Sequence, residues 1–588
     1  MKSIKIATAI ILSAVSSFQA CKKTPASDNS GSNGSNITTT NTGPIVKGTD
    51  PAVASTQGFF LDNWAAKTWT DPATTIAATK PSASGAVNVT VDLSQITTKV
   101  SKLIYGNNTN PYMGQYVTEP VLMNNITALS PNILRAPGGS LSDMYFWNAD
   151  GTVVTAPADA PANLLDDNGN ASAAYYWFGN NTQTFTITLD NYYKVLTQTN
   201  STGLITVNYG YARYGTSAHP DQVAAHLAAN WVRYDKGRTQ YWEVGNECYG
   251  NWEAGYRIDI TKNQDGQPAI ITGTLYGTHF KVFADSMRAA AAEVGNTNIK
   301  IGIVLTSTSD VNNNAGVSNW NANVLAAAGN TPDFFVVHNY YTPYAQNSTA
   351  AVILATPQTT SAMMSWVNTS VQNAGVTAKP VAMDEWNIQA TGSDQNVSNI
   401  AGLHAAMNLG EILKNQISMA SRWDLANGWS NGDDQGMFNI KAGDEPGGVA
   451  QWNARPAYYY MYFFQKYIGD RVVASSVSGS SDIVSYGSSY TSGEAGVILV
   501  NQGSTNHTVT VSFKNFLAGS NYYYYVLNGG TDAVPFSRQV QVNGSGPTGV
   551  SGGPAGFATM APLSASISGG INVVVPAYGA VFLVADKQ

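Results

Sequence analysis

Two acidic residues stand where a strand-like run gives way to a polar end. They are Glu247, closing Trp242-Glu243-Val244-Gly245-Asn246-Glu247, and Glu385, within Ala382-Met383-Asp384-Glu385-Trp386-Asn387. Two facing carboxyls can cleave a glycosidic bond, one protonating the leaving oxygen while the other attacks the anomeric carbon or activates water. An isolated Glu is ordinarily a loop or salt-bridge carboxylate; the Trp- and Asn-rich strand ends set these two apart. Other hydrolytic chemistries lack their residues. Six histidines form no His-Glu-x-x-His pair for zinc, and no Gly-x-Ser-x-Gly elbow stands at a strand-to-helix turn. Cys248 has no histidine partner in sequence and reads as a small buried neighbour of Glu247. Asp166-Asp-Asn-Gly-Asn170 lacks the sixth-position Gly and the terminal Glu of a calcium loop. No metal and no cofactor are expected.

To act together these residues need a scaffold that gathers strand ends. Apolar or β-branched runs at 102–106, 132–135, 203–208, 240–244, 300–305, 334–338, 380–383 and 419–423 read as strands. Helical patterns at 119–129, 189–199, 221–234, 275–294, 359–372, 399–414 and 457–467 fall between or after them. Eight strands alternating with helices predict a closed (β/α)8 TIM barrel over 101–469, with its site at the C-terminal face. Glu247 would close the fourth strand and Glu385 the seventh. The alternative, a doubly wound open sheet, wants a Gly-rich phosphate loop after the first strand, which Gly106-Asn107-Asn108 is not. Beyond residue 469, short β-rich runs separated by Gly/Ser/Asn turns predict an antiparallel β-sandwich over 470–588, with part of 51–100 joining it.

The chain has 588 residues, 43% hydrophobic, enough for a sizeable core. With 30 basic against 37 acidic side chains it carries no basic field for nucleic acid. Lys2 and Lys5, a short apolar run at 6–15 and Ser17-Phe18-Gln19-Ala20-Cys21 form a targeting leader over 1–20. The leader resembles a bacterial lipoprotein signal, which makes Cys21 the lipidated residue; an ordinary secretory signal cut near Ala20 is the other reading. The Ser/Asn/Gly/Thr-rich stretch within 21–50 reads as a flexible tether. An extracytoplasmic protein, lipid-anchored at the periplasm or cell surface, is expected, with the anchor its only membrane contact.

Trp242-Glu-Val-Gly-Asn-Glu247 and Asp384-Glu-Trp-Asn387 resemble the two signatures of glycoside hydrolase clan A. Arg135-Ala-Pro-Gly-Gly139, Ile104-Tyr-Gly106 and His338-Asn-Tyr-Tyr-Thr342 are similar to further segments of family 51 α-L-arabinofuranosidases. The resemblance spans about residues 100 to 425. It implies Glu247 as general acid/base and Glu385 as nucleophile, with retention of anomeric configuration. Asn246 would bind the hydroxyl beside the anomeric carbon, Arg135 would orient the nucleophile, and Tyr340 or Tyr341 would hydrogen-bond it. His338 is a candidate hydrogen-bond donor or a structural residue, and Trp386 the first candidate for stacking on sugar, ahead of 175–178, Trp252, Trp423 and Trp429. Ser140 stands where the family has an Asn that contacts substrate, and residues 148–181 form a long insertion after the second strand. Family 44 cellulase- or xyloglucanase-like enzymes share the barrel and the Gly-Asn-Glu ending. The expected activity is therefore an α-L-arabinofuranosidase, with an endo-β-glucanase or xyloglucanase as alternative and polysaccharide or oligosaccharide as substrate. A catalytically silent carbohydrate-binding lipoprotein is the reading from another class; it has no need of two ionisable carboxylates.

Overall fold

The computed structural model describes residues 44–81, 85–309, 318–430 and 434–588. The leader, Cys21 and most of the expected tether lie outside the described residues. Among the described residues no helix is long and apolar enough to cross a membrane.

Eight parallel strands close a barrel. They are β1 (Leu103–Asn108), β2 (Ile133–Ala136), β3 (Thr202–Val207), β4 (Tyr241–Val244), β5 (Lys300–Val304), β6 (Phe334–Tyr340), β7 (Val381–Asn387) and β8 (Met419–Arg422). Each is followed by helix, as the alternation of patterns predicts. Helix Trp320–Ala328, between β5 and β6, escapes the pattern because it is nine residues long and has Asn at its second and fourth positions.

Side chains on a strand alternate between faces, and in this barrel the alternation writes two layers. One step along each strand, Leu103, Ile133, Leu204, Tyr241, Phe334, Val336, Ala382 and Met419 form one apolar inner cluster. Two residues further on stand Arg135, Thr206, Glu243, His338 and Asp384, all buried. β5 contributes Gly302 between them, where a Cβ would lie 2.3 Å from the Phe334 ring. Phe60, from the short helix Gly58–Leu61 ahead of the barrel, completes the apolar layer. Its ring stands 5.5 Å from those of both Tyr241 and Phe334.

The C-terminal region is mostly strand. Its strands join an eleven-stranded sheet in which Val87–Lys99, from ahead of the barrel, lies between Arg471–Ser478 and His507–Lys514. Along Ala495–Asn501, Val497 and Leu499 enter a core with Val89, Val91, Val509 and Val511. Ile498 and Val500 face the other way, into the core shared with the barrel helices. Helix Pro456–Tyr467 sits at that junction, with Phe463 at 4.8 Å from Tyr525 and 6.0 Å from Phe582.

Candidate active site

Four carboxylates, Glu243, Glu247, Asp384 and Glu385, gather at the C-terminal ends of β4 and β7 around one guanidinium and one imidazole. Arg135, at the end of β2, is fully buried and donates from all three of its nitrogens. Its Nε donates to Glu243 Oε2 at 2.8 Å, Nη1 to Asn108 Oδ1 at 2.9 Å and Glu385 Oε2 at 3.0 Å, and Nη2 to Asn246 Oδ1 at 2.8 Å. Asp384 Oδ2 lies 3.6 Å from Nε. Arg rather than Lys suits this place because a planar fork can hold several acceptors at once.

Asp384 and Glu385 are consecutive, and strict alternation would send one of them away from Arg135. The register of β7 against β8 shifts between Met383 and Trp386, and that of β6 against β7 between Val336 and His338. Such a bulge lets two neighbours share a face. Its second consequence falls on Trp386, which turns outward, fully buried, with its ring 6.5 Å from His404 on helix Asn399–Lys414. The stacking role expected of Trp386 is therefore not available to it.

Tyr340 and Tyr341 separate in the same way. The Tyr340 hydroxyl donates to Glu385 Oε1 at 2.7 Å, whereas Tyr341 OH meets Thr360 Oγ1 at 2.8 Å on helix Thr360–Ala374. Of the two candidates, only Tyr340 reaches Glu385, because adjacent residues point to opposite faces.

The chain around Glu247 is tightly determined. Gly245 has φ +75°, and a Cβ there would lie 2.5 Å from Cys248 Sγ and 2.6 Å from Tyr209 Cβ. Glu247 itself has φ +36°, a region non-glycine residues rarely occupy and which costs about 1–3 kcal/mol. Its carboxylate is held on both oxygens. His338 Nδ1 lies 3.0 Å from Oε1, and Trp252 Nε1 donates to Oε2 at 3.0 Å. Trp252 is 52% exposed. It is the stacking candidate that the structure brings to a carboxylate. Trp177, from the inserted segment, packs 6.4 Å from Tyr112, whose hydroxyl donates to Asp424 at 2.6 Å. Trp429 lies under Arg538.

Exposure sorts the four acids. The Glu243 and Asp384 side chains are sealed, while those of Glu247 and Glu385 keep 13% and 6% of their surface open. Oxygens of Glu247 and Glu385 come within 4.8 Å of each other. His338 links the layers, its Nε2 making an ion-pair contact with Asp384 Oδ1 at 3.2 Å. Burial acts to lower the His338 imidazolium, but the Glu385 charge and the contacts with Asp384 and Glu247 hold it well above the usual histidine range. At Glu247 burial acts upward, and the His338 contact and charge with the Trp252 N–H outweigh it, so the carboxyl is held down. At Glu385 burial and the Glu247 charge prevail over His338, Arg135 and Tyr340, and the carboxyl is pushed up. Burial pushes Glu243 up to about 7, against the Arg135 charge. Among the described residues two sets of ligand atoms are close enough to hold an ion: Glu243, His338 and Asp384, and Glu247, His338 and Glu385. Both depend on His338, and Arg135 already supplies a positive charge to the acids of each.

Sequence reasoning missed Asn108, Thr206, Glu243, Asp384 and Glu253. Asn108 Nδ2 donates to the Asp384 carbonyl at 2.9 Å, and Thr206 Oγ1 to Glu243 Oε2 at 2.7 Å. Glu243 and Asp384 lay inside the two motifs and were findable by counting inward positions along β4 and β7. Glu253, in the loop after β4, accepts from Asn246 Nδ2 at 2.9 Å and Ser140 Oγ at 2.7 Å. Ser140 thus comes to the site, through Glu253. Cys248 is buried, and burial pushes its thiol up, as suits a packing residue. The Asp166 carboxylate accepts the N–H groups of Asn168 and Asn170 and so builds the tip of the hairpin Asn163–Leu165/Ala171–Ala173. Asp167 clips that hairpin to the loop after β4, through Asn251 at 2.9 Å and Arg257 at 2.8 Å.

No family model matches the sequence, and no curated protein matches it. Among solved structures the chain is similar to an α-L-arabinofuranosidase from Thermotoga maritima in complex with arabinose, with a TM-score of 0.56 at 16% identity over 85% of this chain and 99% of that one. A family 51 α-L-arabinofuranosidase from Bifidobacterium longum gives 0.58 at 14% identity, covering 86% and 100%. A family 44 xyloglucanase from Paenibacillus polymyxa gives 0.51 at 11%, covering 85% and 99%. At these identities the likeness is one of fold.

Proposed function

We propose that this protein is a retaining glycoside hydrolase of the clan A type, with Glu385 as nucleophile and Glu247 as general acid/base. The observation that carries the reading is the approach of two partly open carboxylates, from strands four and seven of one barrel, to within 4.8 Å. In retaining enzymes the two carboxyls lie about 5–5.5 Å apart, whereas inverting enzymes leave room for a water between them. Arg135 and Tyr340 would aim Glu385 Oε2 and Oε1, leaving the carboxylate free to rotate only a little before attack. The proton for the leaving oxygen would lie between His338 Nδ1 and Glu247 Oε1. Its transfer across 3.0 Å would convert Glu247 into the acid of the first step. The second step reverses the roles, with Glu247 taking a proton from the water that releases the sugar. Loss of turnover at low pH would follow protonation of Glu385, and loss at high pH would follow deprotonation of the His338–Glu247 pair.

Among substrates, the sequence motifs and the fold likeness favour an α-L-arabinofuranoside of plant-type polysaccharide. The likeness to a xyloglucanase keeps an endo-β-glucanase or xyloglucanase as second reading. Lipid anchoring at Cys21 outside the cytoplasm belongs to the proposal on the strength of the leader sequence. The test is turnover of nitrophenyl α-L-arabinofuranoside by the wild type, Glu247→Ala and Glu385→Ala, with product analysis on arabinan, arabinoxylan, xyloglucan and cellulose. Both variants should lose turnover, and azide should rescue Glu247→Ala more than Glu385→Ala. Full activity in either variant would overturn the assignment. Products from xyloglucan or cellulose alone would move it to the second reading.

A further inference from the structure

Glu253 is a buried acid of the site to which double displacement gives no task. It lies six residues after Glu247, 4% exposed, on the loop that the inserted hairpin clips down. One of its oxygens, Oε1, collects two donors from different parts of the barrel mouth: Asn246 Nδ2 at 2.9 Å and Ser140 Oγ at 2.7 Å. The other, Oε2, is buried without a hydrogen-bond partner among the described residues.

The two ends of an amide side chain have nearly the same shape, so what fixes its orientation is the chemistry of its neighbours. Asn246 has an obligate donor on one side, since Arg135 can only donate, and Nη2 takes Oδ1 at 2.8 Å. Glu253 Oε1 supplies the acceptor on the other side. With one Nδ2 hydrogen committed to Glu253, the direction of the second is set as well. Ser140, itself exposed, has its hydroxyl hydrogen committed to the same oxygen and keeps its lone pairs for an incoming donor.

We propose that Glu253 is a positioning and specificity-determining residue: through Asn246 and Ser140 it fixes which hydrogen-bonding atoms the loops after β2 and β4 present to the sugar. This inference rests on the proposed glycosidase function. Burial, with the charges of Asp143 and Glu247 behind it, pushes the Glu253 carboxyl well up. Glutamine is its nearest counterpart in shape.

The experiment compares Glu253→Ala and Glu253→Gln by kcat, KM and pH profile on the substrate the wild type turns over, and by a crystal structure of the alanine variant. Glu253→Ala should lower kcat/KM about 100-fold, since misplacement by an ångström at a reacting centre has effects of that order. Glu253→Gln should recover activity to within about threefold of wild type, with the pH limits in place. In the Glu253→Ala crystal structure, Asn246 Nδ2 and Ser140 Oγ should have left the directions in which Glu253 Oε1 now holds them. Should that variant fail to fold, Glu253→Met, which fills the space without an acceptor, carries the same expectations. Wild-type kinetics in the alanine variant, an unmoved Asn246, or a glutamine variant as weak as alanine with a displaced pH limit would each overturn the proposal. If the wild type turns over no glycoside, or Glu385→Ala stays active, the function falls, while the crystal structure still decides whether Glu253 holds Asn246.

Discussion

The two poles of the barrel interior are built from the same strands, two residues apart, and they obey opposite physics. At the N-terminal pole Ile133, Leu204, Tyr241, Val336 and Ala382 close around Phe60, and the layer is apolar. At the C-terminal pole Arg135, Thr206, Glu243, His338 and Asp384 occupy the next inward positions, and the layer is ionic. The lower layer gains stability simply by leaving water. The upper layer has to recover the desolvation of several charges through contacts among them, and a buried ion pair rarely does better than break even against an apolar equivalent. A polar layer kept at such cost, directly beneath two partly open carboxylates, is what the proposed site requires and what a scaffold alone does not.

Four measurements would break or sharpen this contrast. Arg135→Ala leaves Glu243, Asp384 and Glu385 without their shared cation, and should cost about 3–5 kcal/mol along with all turnover. The loss, read by denaturant melts, should be greater at pH 8 than at pH 5, because ionised acids suffer most from the missing charge. Phe60→Ala should cost about 3 kcal/mol as a cavity forms, equally at both pH values, and with turnover per folded molecule kept. A collapse of turnover in that variant would show that the poles are not independent. Gly302→Ala should cost about 1–3 kcal/mol by forcing Phe334 aside, again with no pH dependence. The fourth measurement concerns Asp143, which accepts N–H groups of Tyr209, Gly210 and Asn246 and is pushed up to about 7 by burial. An acid raised in the folded state binds its proton there first, so its contribution is whole below about pH 4 and is lost as pH rises towards 7. Asp143→Asn should remove up to about 1.4 kcal/mol per pH unit of that slope, seen as a flatter plot of Tm against pH between 5 and 7.

The strands of the barrel were legible because each is short, apolar and bounded by turn residues, and because helices separate them. The positions of Glu247 and Glu385 followed from the strand ends. What single-sequence reading could not reach was set by register. Nothing in Asp384-Glu385-Trp386 announces the bulge that turns both acids inward and Trp386 outward, since a bulge is a property of two strands together. Tyr340 and Tyr341 are indistinguishable until the phase of β6 is known. Glu253 has no local signature at all, being defined by partners that come from residues 140 and 246. Phe60 lies ahead of the first strand, where no repeating pattern points to the barrel interior.

The strand Val87–Lys99 has a consequence for how the chain is made. It leaves the ribosome before the barrel, yet its partners are Arg471–Ser478 and His507–Lys514. At about 5–20 residues per second, both of its edges wait on the order of half a minute for their neighbours. Asn88, Thr90, Asp92 and Ser94 alternate with Val87, Val89, Val91 and Leu93 along it, so one side of the waiting ribbon stays wet. Until those partners arrive both backbone edges of the strand stay open, the kind of edge that pairs with another chain.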